Sequence, residues 1–138
     1  MSRENVEVAK GVFDAWKAGD MEAVRDLYDP NVIVRPLPDW PEPGPWVGRD
    51  AVIRQFVQQR EAFDADDLAP ISDFLDGADH VVVRLIWRGA GYGPESNLEI
   101  TSVYTVRQRK VFYQEFFWNH AEALEAVGLS EQDAHADS

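Results

Sequence analysis

The chain has 138 residues, 45% hydrophobic and 12% aromatic, which suits one globular domain around one core. Thirteen basic against 25 acidic residues leave a formal charge of −12. That excess opposes binding to phosphate backbones and anionic bilayers, so neither nucleic acid nor membrane is an expected partner.

Cysteine is absent and only three histidines occur, which removes disulfide and thiolate chemistry. His80, His120 and His135 form no HxH or HxxxH pair, and no nucleotide loop is present, so no metal and no organic cofactor are expected. No apolar run approaches the roughly 18 residues of a membrane helix. The opening MSRENVEVAK lacks the apolar stretch of a signal peptide, so a cytoplasmic protein is expected.

In chain order, Val6, Ala9, Val12, Phe13 and Trp16 share one helical face, and Gly19 ends that helix. Asp20 caps a shorter helix whose stripe is Val24, Leu27 and Tyr28, with Pro30 blocking continuation. A β-branched strand, NVIVR at 31–35, runs into a proline-rich loop carrying Trp40 and Trp46. A third amphipathic helix spans about 49–63 through Val52, Ile53, Phe56, Val57 and Phe63. Strands follow at about 67–75, 80–89, 97–107 and 111–118, and a last short helix covers 119–127 before Gly128.

Helices gathered at the start and strands at the end imply an α+β protein, a cone or half-barrel of antiparallel sheet. The expected domain is 1–128, with 129–138 a polar flexible tail.

Four strings carry a family resemblance: AWKAGD at 15–20, LYDPNV at 27–32, VGRDAV at 47–52 and AEALEAVGLSE at 121–131. In this order and spacing the chain resembles the SnoaL-like polyketide cyclases of the nuclear transport factor 2-like superfamily, over nearly its whole length. The resemblance implies a cystatin-like roll, a curved sheet wrapped around an apolar pocket. It also implies a homodimer through the outer face of the sheet. Relatives with this ending often look like Asp then Arg just before it; here those positions are Asn119 and His120. An amide offers no titratable proton at neutral pH, so Asn119 cannot serve as a base.

Among the remaining carboxylates, Glu115 shares strand parity with Tyr113, Phe117 and Asn119, provided that no bulge intervenes. A carboxylate in an apolar setting would be a usable base, with the Asn119 amide beside it to bind and orient the ligand. Tyr104 shares parity with Ile100, Ser102 and Val106, so its phenol faces the core and could donate to an oxyanion. His120 is a candidate proton shuttle. Trp16, Trp46 and Phe56 are expected in the pocket wall, and Arg35 would clamp an anionic or carbonyl group. Two functions follow from the same residues. One is a cofactor-independent cyclase, isomerase or hydrolase acting on a small apolar molecule; the other is a non-catalytic ligand-binding or dimerisation module.

Overall fold

The computed structural model describes residues 2–38, 40, 42–63, 67–77, 79–88 and 97–128. The expected tail at 129–138 lies outside the described residues, as does the connection at 89–96. Four helices and seven strands occur among the described residues. Helix α1 (Ser2–Ala18) and helix α2 (Met21–Asp26) lead into strands β1 (Tyr28–Arg35) and β2 (Trp46–Val47). Helix α3 (Arg49–Phe63) precedes β3 (Asp67–Pro70), β4 (Leu75–Gly77), β5 (His80–Arg88), β6 (Asn97–Arg107) and β7 (Lys110–Phe117), and α4 (His120–Ala126) follows. The strands form one sheet in the order β2-β1-β7-β6-β5-β3, with β4 also paired to β5. The sheet is mixed: β1 runs parallel to β7 while every other pair is antiparallel.

Helix α1 ends where the sequence places its stop. Gly19 takes φ +74, a backbone region that favours glycine, and hydrogen bonds from Gly19 N to Trp16 O and Asp20 N to Ala15 O close the turn, both at 3.0 Å. Asp20 then caps α2, its carboxylate accepting from Ala23 N at 3.1 Å. The face of α1 that carries Ala9, Val12, Phe13 and Trp16 is buried against the sheet.

Three local expectations need correction. Tyr28 does not continue the stripe of α2; the helix ends at Asp26 and Tyr28 opens β1 with its side chain fully buried. Pro30 therefore lies inside a strand, at the irregular stretch where the β1–β7 register jumps between Tyr28 and Ile33, a place where a missing N–H is tolerated. The strand expected at 67–75 is two strands, β3 and β4, which pair with successive parts of β5. Between them, Ser72 Oγ accepts from Arg84 N at 2.9 Å, a side-chain oxygen standing in for the interrupted ladder.

The hairpin from β6 to β7 decides the inner surface. Arg107 pairs with Lys110, so the turn has two residues, and Gln108 and Arg109 both hold positive φ (52 and 65). These are the angles of a type I′ turn, here made without glycine. Val106 then pairs with Val111 but Thr105 with Tyr113, leaving Phe112 as an extra residue. This bulge reverses the facing of everything after it. Val111, Gln114 and Phe116 face the core, and Tyr113, Glu115 and Phe117 face outward.

The outer face is divided. Helix α4 covers Val82, Val103 and Phe117 with Ala123 and Leu124. Beside it Val47, Ile33, Tyr113, Thr105 and His80 stand in one row across five strands, with Val47 63% exposed. Among the described residues no helix is long and apolar enough to cross a membrane.

Candidate functional site

The inner face of the sheet and the helices packed on it line a partly open cavity of about 60 Å³, counted as room for the centres of water-sized spheres. One water takes roughly 10–15 Å³ on that measure, so the space suits about five waters and is tight for one small ring. Helix α1 contributes Val12 and Trp16, and α3 contributes Phe56 and Gln59 one turn apart. The sheet supplies Tyr28, Trp46, Leu85 and Trp87, together with Ile100, Tyr104, Gln114 and Phe116. Pro36, Leu37 and Trp40 close the wall from the β1–β2 connection.

Aromatic rings organise this wall. Phe56 is a hub that meets Trp16, Tyr28 and Trp46 edge to face, at centroid distances of 5.9, 5.7 and 6.2 Å. Such contacts contribute about 0.5–1.5 kcal/mol each beyond the burial of their area. In the same wall, Trp40 stacks on Trp87 at 5.7 Å with 23° between the ring planes.

Besides Gln59, one hydrogen-bonded polar cluster interrupts the apolar surface. The Tyr28 hydroxyl donates to Gln114 Oε1, and Gln114 Nε2 donates to Ser102 Oγ at 3.1 Å. Tyr104 sits across the strand pair from Gln114, on the same inward parity as Ser102. Burial pushes the Tyr28 phenol well above its ordinary value; the nearby Tyr104 adds to the rise, and the Gln114 hydrogen bond opposes it. Burial likewise raises Tyr104, against hydrogen bonding from Ser102 and Gln114. Both phenols therefore stay protonated and act as hydrogen-bond donors or acceptors near neutrality, never as bases.

The candidate residues divide between the two faces of the sheet. Tyr104, Trp16, Trp46 and Phe56 line the cavity. Glu115 does not join them: it faces outward, where its Oε1 accepts from the Tyr113 hydroxyl at 2.9 Å. Arg35 is the exposed cross-strand neighbour of Glu115, so it belongs to the same outer patch. Burial and the bond to Glu115 raise the Tyr113 phenol, with Arg35 opposing. Asn119 is exposed and caps α4, accepting from Glu122 N at 3.1 Å. His120 follows it on the outer side, with Nδ1 3.2 Å from Thr101 Oγ1. The bulge at Phe112 is the physical reason that Glu115 and the cavity part company.

Tyr28, Ser102 and Gln114 were not singled out from the sequence. Gln114 would have emerged had the bulge been visible, and Tyr28 had the stripe of α2 been cut at Leu27. Among the described residues no group of three or more His, Asp or Glu side chains could hold a metal ion.

Comparison with known proteins gives consistent relatives. A candidate polyketide cyclase from Sinorhizobium meliloti is 23% identical, with 80% of this chain and 93% of that one aligned at a TM-score of 0.66. A nuclear transport factor 2-like protein of unknown function from Burkholderia pseudomallei is 20% identical over 93% and 99% of the two chains, with a TM-score of 0.69. A candidate ketosteroid isomerase from Kribbella flavida is 18% identical over 86% and 79%, with a TM-score of 0.67. At these identities the likeness shows the fold, the α+β cone with a curved, unclosed sheet. No curated protein matches the sequence. The model of the SnoaL-like domain matches residues 9–114, most of the chain, and this protein belongs to the SnoaL-like family.

Proposed function

We propose that the protein binds a small, uncharged, ring-sized apolar molecule through one oxygen that hydrogen-bonds at Tyr104 and Gln114. The observation that carries this reading is the buried Tyr28–Gln114–Ser102 network beside Tyr104, a hydrogen-bonded cluster in a cavity whose other lining residues, Gln59 apart, are aromatic or aliphatic. Apolar pockets with a few converging polar groups bind by shape and take their orientation from those groups. Both phenols remain protonated, so they recognise an oxygen rather than remove a proton. The carboxylate best suited by sequence to act as a base, Glu115, is bonded to Tyr113 on the opposite face. That favours binding over acid–base turnover of the kind named for the cyclase and isomerase relatives.

Calorimetric titration with phenol and with toluene tests the reading. Phenol binds more tightly than toluene, and Tyr104→Phe narrows the difference by about five-fold, the value of one net hydrogen bond. Absence of binding by either compound, or an unchanged ratio in Tyr104→Phe, contradicts it. Proton abstraction from an added ketone, followed by deuterium exchange, would restore the enzyme reading.

A further inference from the structure

The cavity wall is built from two kinds of support. Helices α1 and α3 and the strands hold most lining residues by regular hydrogen bonding, and several of them, including Trp16, Trp87 and Tyr104, are at most 5% exposed. Trp40 differs. It comes from the connection between β1 and β2, its backbone N–H reaches Leu37 O at 3.0 Å in a local turn, and its side chain is only half-buried. Its indole lies nearly parallel on Trp87. It thereby covers a ring face that a planar ligand would otherwise use, because an aromatic face accommodates one stacked partner.

We infer that Trp40 is the size-determining residue of the site: its ring occupies the stacking position on Trp87 and limits the ligand to a single ring. The inference rests on the ligand-binding reading above and adds to it the feature that selects among ligands. Free space of about 60 Å³ is already tight for one ring, so a fused second ring needs room that the wall now fills. Of the three residues contributed by the β1–β2 connection, only Trp40 carries a ring whose removal would open that much space. Leu37 is 4% exposed, within the packed core. Removing the indole leaves Trp87 in place and frees its face for the ligand.

The test compares phenol with 2-naphthol, by calorimetric titration, on the wild-type chain, Trp40→Ala and Trp40→Phe. The wild-type protein prefers phenol by about ten-fold, the cost of forcing an oversized group into a packed site. Trp40→Ala removes that preference and binds 2-naphthol at least as tightly as phenol. Trp40→Phe, which retains a smaller ring, relaxes the preference by about three-fold, and it decides the matter if circular dichroism shows Trp40→Ala unfolded. Equal binding of the two compounds by the wild-type protein overturns the inference, as does a ratio that neither substitution moves; in both cases binding itself stands. Failure of every protein to bind either compound overturns the ligand-binding reading, and the inference with it.

Discussion

The two faces of the sheet carry similar side chains and put them to different uses. On the inner face, Tyr28 and Gln114 pair where both are buried; on the outer face, Tyr113 and Glu115 pair while half-buried. The two acceptors are neighbours in sequence, yet one belongs to the cavity and the other does not. Placement relative to the core, more than residue type, decides which polar group can recognise a ligand. A buried hydrogen bond is also costly to leave half-made, whereas water can replace the partner of an exposed one.

The largest effect tests whether the inner face is one packed unit. Phe56→Ala removes the ring on which Trp16, Tyr28 and Trp46 converge, and is expected to lower stability by about 3–5 kcal/mol. Chemical denaturation measures this, and a loss below about 1 kcal/mol would show that the cluster collapses around the gap. Gln114→Leu comes next, since it strands the hydroxyls of Tyr28 and Ser102 in the core. A cost of about 1–3 kcal/mol is expected, together with weaker phenol binding. A neutral result would mean that water reaches these groups.

Alkaline titration separates the buried phenols by charge. An ordinary tyrosine is half ionised near pH 10. In the folded chain burial raises Tyr28 and Tyr104 above that value. The unfolded chain therefore loses these protons first. Their contribution to stability is complete below about pH 10 and falls by about 1.4 kcal/mol per pH unit per phenol as the pH rises from there towards the folded values. Phenolate absorbance should show both ionising only as the protein unfolds. Ionisation near pH 10 with the fold intact would place them in contact with water.

The smallest effect belongs to the outer face. Glu115→Gln keeps an acceptor for Tyr113 and should change stability by less than about 0.5 kcal/mol while leaving phenol binding untouched. A marked loss of binding in this variant would erase the distinction between the two faces.

Much of the fold was legible because its signals are local. The 3.6-residue spacing in α1 and α3, the stops at Gly19 and Gly128, and the β-branched runs of β5 and β6 depend on a few neighbouring residues. The wall residues Trp16 and Phe56 followed from the same patterns, whereas Trp46, read as part of the proline-rich loop, opens β2 in the structure. Tyr104 was equally accessible, because β6 pairs with β5 without interruption from His80 to Arg88 and its alternation holds throughout.

The remainder was settled by contacts between segments distant in sequence. By its spacing Tyr28 reads as the end of the stripe of α2; pairing with Val111 on β7 makes it a strand residue. Gln114 and Glu115 exchange places because Phe112 is accommodated as a bulge, and composition alone does not fix where a hairpin inserts an extra residue. Sequence by itself determined several of the apolar wall residues and most of the helices and strands, since periodicity records burial directly. Only the tertiary structure decided which polar groups enter the cavity. That choice turns on register, where a shift of one residue sends each side chain to the opposite face.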